Sequence, residues 1–331
     1  MKRLLIELPT WLGDAVMATP AIKALIKHFK DYEITIVGSR VSVELFSEFK
    51  EIKKSYIDNT KRSRFRLFSI YRFAKNIGRH DIAITFRNSL PSALLLYFTR
   101  SKIRVGLKNG LRNIFLNKSL KYQKEGHQVE RYICMVEEFL NKKIKDDELS
   151  LNFPVFKFER PTIGINPGAA YGTAKRWYSD RFAEVAKALS KDFDIIIFGG
   201  PKEIMVALEI EKILRDSGIE NFNNIAGRTT IGQLCSKIAG LALFITGDSG
   251  PMHIAAAYKV PTISIFGPTD PTDTSQWKNP NNIIIKAEVE CAPCLKRVCP
   301  KDSHECMKSI SVESVIEKAR KSISDSNENK E

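Results

Sequence analysis

The sequence predicts an α/β protein made of two Rossmann-like, doubly wound domains that face a central cleft. Short apolar runs alternate with helical patterns along both halves of the chain, which is typical of βαβ units around a parallel sheet. The 331 residues, 43% of them hydrophobic, can fill two cores of ordinary domain size. Pro154 and Pro161 bracket an extended linker. We therefore expect one domain over residues 1–155, a second over 156–310, and a C-terminal helix with a frayed tail over 311–331.

Eight strands are predicted, four in each half, from apolar runs bounded by turn residues. They are Lys2–Leu8, Glu33–Val37, Ile82–Thr85, Ile103–Gly106, Thr162–Ile165, Asp194–Phe198, Leu241–Thr246 and Thr262–Phe266. Helical periodicity predicts helices at Ala15–Phe29, Asp180–Leu189, Lys202–Asp216 and Ile231–Ala239. Because ligands of such sheets bind at the carboxyl ends of the strands, functional side chains are expected in the loops that follow them.

Positive charge is concentrated in the first half of the chain. Of the net charge of +14, residues 1–150 carry nearly all, with 29 basic against 16 acidic residues, whereas the rest hold 23 against 22. Between Lys61 and Arg112 there are 13 basic residues and one acid, Asp81. A charge run is often only a solvated face, but this asymmetry favours a polyanionic partner for the first domain.

The apolar patterns predict cores rather than membrane spans. No stretch approaches the length of a transmembrane helix, and the first apolar run is too short for a signal peptide, so a cytoplasmic protein is expected. Aromatic residues interleave the first part of this basic segment, at Phe65, Phe68, Tyr71 and Phe73. Their spacing predicts the buried side of an amphipathic helix.

The loop after the first strand holds a candidate catalytic residue. Thr10-Trp11-Leu12-Gly13-Asp14 lies where a strand ends and a helix begins. Asp14 is placed to cap that helix, and a carboxylate there can equally accept a proton from an attacking sugar hydroxyl. Gly13 permits a tight turn. Trp11 either offers an aromatic face to a sugar or packs between helices.

The loop over residues 166–177 has the composition of a phosphate-binding loop. It follows a predicted strand and is rich in glycine and other small residues, so that backbone can approach a ligand closely. Gly168 lies near its start, and Lys175 and Arg176 supply fixed positive charge near its end. An ordinary solvated basic loop is the weaker alternative.

A second anion site is predicted where the strand ending at Thr246 meets the next helix. The amides of Ser249 and Gly250 would stand at the start of that helix, where an anion is favoured. Asp248 and Ser249 are alternatively caps, and a helical histidine such as His253 is more often packed than catalytic. The rigid loop Phe266–Pro271, which includes Thr269, closes the next strand on the same side.

Two common nucleotide motifs are missing from the sequence. There is no G-x-x-x-x-G-K-[ST] and no G-x-G-x-x-G, so no nucleotide cofactor is predicted. The single D-x-D, Asp192-Phe193-Asp194, leads into a strand and so lies at the wrong end of the sheet for a metal-bound nucleotide sugar. No catalytic metal is expected.

A cysteine cluster near the end of the chain leaves two interpretations open. Cys291, Cys294, Cys299 and Cys306 lie within sixteen residues, with His304 among them. The first pair has the spacing of zinc ligands, but the remaining spacing matches no common zinc module. Reduced thiols in a packed loop are favoured over a structural metal, and disulfides are disfavoured in the cytoplasm.

Taken together, five segments resemble the ADP-heptose:lipopolysaccharide heptosyltransferases. In chain order they are Thr10–Ala18, Ala174–Trp177, Gly247–His253, Phe266–Pro271 and the cysteine cluster. The resemblance covers nearly the whole chain and is strongest to the branch that adds the second heptose. It implies a GT-B fold and inverting, metal-independent transfer of L-glycero-D-manno-heptose from ADP-heptose to the lipopolysaccharide inner core.

The resemblance also implies roles for individual residues. Asp14 would be the catalytic base, and Lys175 would stabilise the departing diphosphate. The implied donor-binding residues are Gly168, Lys175, Arg176, Asp248, Ser249, Gly250, His253 and Thr269. The implied acceptor-binding residues are Thr10, Trp11, Gly13, Arg62, Arg64 and Arg66. Where related enzymes carry a ribose-binding acid this chain has Gly232, so the residue that binds the ribose is unassigned.

The implied partners are ADP-heptose and a phosphorylated lipid A–Kdo–heptose acceptor, with transient contact with the cytoplasmic face of the inner membrane and no nucleic acid. Three alternatives stay open. The first is a heptosyltransferase that adds the first or third heptose, and the second is another GT-B sugar transferase. The third is not an enzyme but a polyanion-binding protein that uses the basic first domain.

Overall fold

In the computed structural model the chain divides into two compact units, Met1–Asn152 (unit 1) and Phe153–Glu331 (unit 2). The structure describes residues 1–121, 123, 125–301 and 303–328. Each unit is built on a six-stranded sheet in which all neighbouring strands run parallel. The predicted class, α/β with two doubly wound sheets, is confirmed.

Unit 1 alternates strands and helices. Its strands are β1 (Arg3–Glu7), β2 (Glu33–Gly38), β3 (Ile52–Ile57), β4 (Ile82–Thr85), β5 (Ile103–Leu107) and β6 (Lys118–Leu120), and its helices are α1 (Leu12–Met17), α2 (Thr19–His28), α3 (Arg40–Leu45), α4 (Arg66–Ile77), α5 (Leu90–Phe98) and α6 (Gln128–Leu140). Short 3-10 helices cover Thr60–Arg62 and Gly110–Phe115. The strand order is β3-β2-β1-β4-β5-β6, so the winding reverses between β1 and β4.

Unit 2 repeats this plan. Its strands are β7 (Thr162–Asn166), β8 (Asp194–Ile197), β9 (Phe222–Asn224), β10 (Leu243–Gly247), β11 (Thr262–Phe266) and β12 (Asn282–Lys286), and its helices are α7 (Ser179–Leu189), α8 (Ile204–Asp216), α9 (Ile231–Ala239), α10 (Gly250–Ala257), α11 (Pro271–Thr274), α12 (Glu305–Lys308) and α13 (Val312–Glu328). The 3-10 helix Thr173–Lys175 precedes α7. The order β12-β11-β10-β7-β8-β9 reverses between β7 and β10.

All eight predicted strands are present, and the four that the sequence did not reveal are the edge strands β3, β6, β9 and β12. Central strands such as β7, β10 and β11 are buried along their whole length and read as continuous apolar runs. An edge strand has one open side, and its residues are mostly exposed or half-buried, as in β3. Such a strand lacks the apolar signal on which the prediction depended.

The single helix predicted over residues 15–29 is instead two helices, α1 and α2, separated at Ala18. Pro20 has no amide hydrogen to donate to the carbonyl of Val16, four residues earlier. The hydroxyl of Thr19 donates to that carbonyl instead, at 2.7 Å. As a result α1 is a separate short helix that ends at Met17, and α2 begins at Thr19.

The aromatic residues of the basic segment lie on the wrong face for the buried helix side that was predicted. Phe65 precedes α4 and is 72% exposed, Phe68 is 60% exposed and Tyr71 is 40% exposed. Phe73 is half-buried and packs against the core. The buried positions of α4 are Ile70, Ala74 and Ile77, which form one stripe of small or aliphatic side chains. This stripe packs the helix against the core of unit 1. The expectation was therefore wrong for three of the four aromatic residues.

The C-terminal helix α13 belongs to the core of unit 2. Val315 and Ala319 are fully buried in that core, and Ser322 is also buried. The helix covers Val312–Glu328, and residues 329–331 lie outside the described residues. Within the described ranges no helix is both long and apolar enough to cross a membrane.

Candidate active site

Asp14 lies in the first turn of α1, directly after the carboxyl end of β1. The helix begins at Leu12, and the residue before it is Trp11, so Asp14 is the third helical residue and not the N-cap that the sequence suggested. The hydroxyl of Tyr132 on α6 donates a hydrogen bond to its Oδ1 at 3.1 Å. The side chain is half-buried. The carboxylate is thus held by a distant residue and stays partly accessible.

The loop that precedes Asp14 is held by its carbonyl groups. Ser42 Oγ donates to the carbonyl of Pro9 at 2.5 Å, and Ser39 Oγ donates to that of Thr10 at 2.8 Å. Ser39 and Ser42 follow β2, which lies on one side of β1. Arg87 follows β4, on the other side of β1, and its Nε donates to the carbonyl of Leu8 at 2.8 Å. Contacts from both neighbouring strand-to-helix loops therefore set the course of the chain into α1.

The other predicted acceptor residues occupy two loops of unit 1. Trp11 is 49% exposed, so of its two interpretations the structure favours an accessible aromatic face over packing between helices. Thr10 is exposed and Gly13 is buried. Arg62, Arg64 and Arg66 are all exposed and lie after β3, at the 3-10 helix and the start of α4. The two loops follow strands of the same parallel sheet.

A buried charge cluster lies behind the loop of Asp14. Arg87 Nη1 is 3.2 Å from Glu7 Oε1 and 3.1 Å from Asp58 Oδ2. Burial raises the pKa of Glu7, and the positive charge of Arg87 opposes that rise. The buried Arg112 donates to Oδ1 of Asn88, the residue after Arg87, at 2.6 Å. Sequence reasoning missed this cluster because its members look like ordinary surface charges.

In unit 2, three predicted donor residues form one hydrogen-bonded group. Lys175 Nζ donates to Asp248 Oδ2, and Thr269 Oγ1 donates to the same oxygen at 2.7 Å. Asp248 is 6% exposed. The three side chains come from the loops after β7, β10 and β11, which are adjacent strands. Lys175 Nζ also lies 4.6 Å from the centroid of the Tyr171 ring. An ammonium group, a carboxylate and a hydroxyl thus meet where ligands of such sheets bind.

A second polar group lies beside the first. Asn166 Nδ2 donates to Thr246 Oγ1 and to Ser249 Oγ, both at 3.2 Å, and the two hydroxyls are 3.0 Å apart. Ser249 is the residue before α10, which starts at Gly250 and Pro251. The hydroxyl of Ser249 is engaged by these neighbours rather than by the helix amides. Pro251 has no amide hydrogen, and the amide of Met252 donates to the carbonyl of Ser249 at 3.2 Å. The donors that the start of α10 can offer a ligand are therefore the amides of Ser249 and Gly250.

The remaining predicted donor residues lie around these two groups. His253 is buried within α10, Arg176 is half-buried, and Gly168 is buried next to Glu203. A Cβ at Gly168 would lie 2.1 Å from Glu203 Cγ, so only glycine fits there. Glu203, 7% exposed, was not singled out from the sequence. The only signal in the sequence was an acid shortly after the glycine pair that follows β8.

The cysteine-rich segment supports the loop of Lys175. The carbonyl of Arg297 accepts from the amide of Ala174 at 3.1 Å, and His304 bridges the Ala174 carbonyl at 2.9 Å and the Tyr178 hydroxyl at 3.1 Å. A Cβ at Gly172 would lie 2.1 Å from the carbonyl oxygen of Arg297. The backbones of the two segments are therefore in direct contact, and this segment helps to place Lys175.

The four clustered cysteines line one small cavity of about 40 Å³ and are free thiols. Burial raises the pKa of Cys306, and the neighbouring thiols of Cys291, Cys299 and Cys294 raise it further. In the part of the chain that the structure describes, no three His, Cys, Asp or Glu side chains are arranged to hold a metal ion.

Comparisons with known proteins agree with the predicted resemblance. Residues 70–304 match the family described as Glycosyltransferase family 9 (heptosyltransferase). The chain is 41% identical to the lipooligosaccharide heptosyltransferase 2 of Campylobacter jejuni subsp. jejuni serotype O:2, over 98% of this chain and 99% of that protein. It is 30% identical to the protein of the same name from Haemophilus influenzae, over 94% and 96%.

Among solved structures, the E. coli ADP-heptose lps heptosyltransferase II has the same fold, with a TM-score of 0.79 at 24% identity, covering 98% of this chain and 99% of that one. The match to the family spans well over half of the chain, and the similarity to the Campylobacter protein spans almost all of it. These similarities exclude a protein that only binds polyanions. The chain belongs to glycosyltransferase family 9, the heptosyltransferases.

Proposed function

We propose that the chain transfers L-glycero-D-manno-heptose from ADP-heptose to a lipopolysaccharide inner core that already carries one heptose. The observation that carries this proposal is the group formed by Lys175, Asp248 and Thr269 at the carboxyl ends of three adjacent strands. Those residue types can hold a diphosphate and a sugar together. The choice of the second heptose is supported by the names of the relatives, which are heptosyltransferases 2.

The proposed donor site uses charge and amides for the diphosphate. A lysine ammonium has three hydrogens, so Lys175 can keep its bond to Asp248 and still donate to a phosphate oxygen. The amides of Ser249 and Gly250, at the start of α10, add donors on the phosphate side. Asp248 and Thr269 carry oxygens that suit sugar hydroxyls. Gly168 lets Glu203 pack against the backbone of the loop that carries Lys175.

In the proposed reaction Asp14 is the general base. Its carboxylate takes the proton of the acceptor hydroxyl while the hydroxyl oxygen forms a bond to the anomeric carbon of heptose. The bond between that carbon and the diphosphate oxygen breaks, and its electron pair leaves with ADP. Because a single displacement occurs, the anomeric configuration inverts. Tyr132 fixes the direction of the carboxylate through its hydrogen bond.

Charge builds on the diphosphate as the bond breaks. Lys175 and the α10 amides are already in position for it, and preorganised donors of this kind lower the barrier without later rearrangement. They can do what a metal ion does in other transferases. The D-x-D at Asp192–Asp194 supports this proposal indirectly, because Asp194 opens β8 and the motif therefore lies at the amino end of the strand. Metal-independent transfer is accordingly part of the proposal.

The proposed acceptor is phosphorylated and lipid-linked. The exposed Arg62, Arg64 and Arg66 suit phosphate groups, and Thr10 and Trp11 lie beside the proposed base. Since the acceptor is anchored in lipid, we include transient contact with the cytoplasmic face of the inner membrane in the proposal. No nucleic acid takes part.

The test is turnover of ADP-heptose with acceptors that carry no, one or two heptoses. We expect ADP release and a mass increase of one heptose with the acceptor that carries one, and little product with the other two. Preference for the heptose-free acceptor, or for the one with two, would assign the chain to a different step. An absence of ADP release with all three would contradict the proposed donor.

A further inference from the structure

We infer that unit 1 carries a docking surface for a bilayer of anionic phospholipid. It is formed by the start of α4, the end of α5 and the 3-10 helix Gly110–Phe115. We call it the membrane-docking surface and define it by seven exposed apolar residues, Phe65, Leu67, Phe68, Tyr71, Tyr97, Leu111 and Ile114. The inference rests on the proposed function only for the lipid-linked acceptor, and the surface itself is argued from exposure and charge.

The first observation is the degree of exposure. Phe65 is 72% exposed, and Leu67 and Phe68, close by in the chain, are 58% and 60% exposed. Leu111 and Ile114 are 73% and 74% exposed. Single exposed apolar residues are ordinary, but large ones clustered in two short segments mark a surface that meets an apolar partner.

These segments are connected across the surface by a chain of aromatic contacts. The ring centroids of Tyr71 on α4 and Phe98 on α5 are 5.5 Å apart, and those of Phe98 and Tyr97 are 5.6 Å apart. Tyr97 is itself 45% exposed, and its ring centroid lies 5.4 Å from that of Phe115. Phe115 belongs to the 3-10 helix that also carries Leu111 and Ile114. The segments that carry the exposed apolar residues are therefore neighbours on unit 1.

The second observation is the charge around the apolar residues. Arg64 lies 5.9 Å from the ring centroid of Phe65, Arg72 lies 5.9 Å from that of Phe68, and Lys75 lies 5.6 Å from that of Tyr71. Cations that flank exposed aromatic side chains are typical of helices that lie in the interface of an anionic membrane.

The same segment offers almost no negative charge to repel lipid headgroups. Asp81 is the one acid between Lys61 and Arg112, and it is paired with Lys102 at 2.9 Å. Basic charge alone would also suit nucleic acid. The aliphatic side chains of Leu67, Leu111 and Ile114 would gain no binding energy from contact with the phosphates of a nucleic acid. The interface of a bilayer, in contrast, accommodates both apolar and basic side chains.

The apolar face is not needed to hold α4 in place. The helix is seated on the core through Ile70, Ala74 and Ile77, which point to its other side. Substitutions on the exposed face should therefore leave the fold intact. This makes the inference directly testable.

The experiment is co-sedimentation of the protein with phosphatidylcholine vesicles, with and without phosphatidylglycerol, in the absence of donor and acceptor. We expect binding only when phosphatidylglycerol is present. The double variants Phe65→Ser/Phe68→Ser and Leu111→Ser/Ile114→Ser should each lower the partition coefficient by at least about tenfold, because each removes two large apolar side chains from the interface. Thermal melting checks that both variants are folded.

The matched control is Met205→Ser/Leu208→Ser, which removes two exposed apolar residues, 69% and 41% exposed, from α8 of unit 2. It should bind vesicles like the wild type. Wild-type binding by both surface variants, equal binding to neutral vesicles, or binding to duplex DNA in place of vesicles would each overturn the inference. Turnover of a deacylated acceptor should be unchanged in both surface variants, which separates failure of this inference from failure of the proposed function.

Discussion

At the scale of single residues, each proposed catalytic group is held by a partner far away in the sequence. Asp14 accepts a hydrogen bond from Tyr132, and Lys175 donates one to Asp248. Each bond fixes the orientation of a charged side chain. Both partners come from other secondary-structure elements. The chemistry of the two groups therefore depends on the folded unit around each, and substitutions can separate their roles.

Asp14→Asn is expected to lower kcat by a factor of about 10² to 10⁴, the usual contribution of a general base. Asparagine keeps the size of the side chain and can still accept from Tyr132, but it cannot take a proton. The affinity for ADP-heptose should stay within a few-fold of wild type. Steady-state turnover and calorimetric titration of the donor measure the two effects.

Lys175→Ala is the contrast to that variant, because it should weaken donor binding and turnover together through lost diphosphate contacts. The exposed Lys187 on α7 offers a control lysine, and Lys187→Ala should change neither quantity. If Asp14→Asn keeps more than roughly a tenth of wild-type kcat with an intact fold, Asp14 is not the base.

At the scale of elements, the strand-to-helix loops of unit 1 are joined by buried charges. Arg87→Met should destabilise unit 1 by about 3–5 kcal/mol, because it leaves Glu7 buried without its counter-charge. The pKa of Glu7 is raised in the folded state, so the protonated carboxyl group favours folding. This stabilisation is fully present below pH 4.5, the pKa of the unfolded chain, and is lost as the pH rises through the pKa of the folded state. The loss caused by Arg87→Met should therefore grow with pH, as urea unfolding from pH 5 to pH 8 would show.

The double variant Arg87→Met/Glu7→Gln is the control, since it carries no buried carboxylate at that position. Its stability relative to wild type should depend much less on pH than that of Arg87→Met. A loss of stability that is the same for both variants at every pH would mean that the buried carboxylate of Glu7 is not the cause of the destabilisation.

The contact between the loop of Lys175 and the cysteine-rich segment leads to another expectation at this scale. Gly172→Ala places a Cβ against the carbonyl oxygen of Arg297 and must push the two backbones apart. Lys175, three residues later, should move with the loop, and the KM for ADP-heptose should rise several-fold. Thr173→Ala, at an exposed position in the same loop, is the control and should leave KM unchanged.

At the scale of the whole molecule, the two units differ in charge. Unit 1 holds nearly all of the excess positive charge, and its arginines at positions 62, 64 and 66 are exposed after β3. Long-range attraction for a phosphorylated acceptor would therefore act through unit 1, while donor binding would depend on fixed contacts in unit 2.

Reversal of two of these charges, in Arg62→Glu/Arg64→Glu, should raise the KM for the acceptor and leave donor affinity close to wild type. Added salt should mimic the effect in the wild type, because exposed charges are screened over about 8–10 Å at moderate ionic strength. The control Lys187→Glu/Lys191→Glu reverses two exposed charges of unit 2. An equal loss for both substrates, or the same loss in the control, would argue against the assignment of the acceptor to unit 1.

The sequence by itself determined the fold class and the central strands, and it pointed to the loops that carry the candidate site. Central strands of a parallel sheet are buried on both faces, so they must be apolar runs, and such runs can be seen without a structure. The edge strands were not predicted because they are partly exposed to solvent and therefore lack a continuous apolar run. The loops of Asp14, Lys175, Asp248 and Thr269 were singled out because ligands of such sheets bind after the carboxyl ends of the strands, and the roles of these residues were implied by the family resemblance.

Only the tertiary structure decided which side chains meet and which stay exposed. Tyr132 lies 118 residues from Asp14, and no local pattern marks it as the partner. The aromatic residues of α4 have a spacing that fits a buried face, yet Ile70, Ala74 and Ile77 already fill the space beneath the helix and leave Phe68 and Tyr71 outside. Local sequence specifies periodicity, but which stripe of a helix is buried depends on the volume that its neighbours leave open.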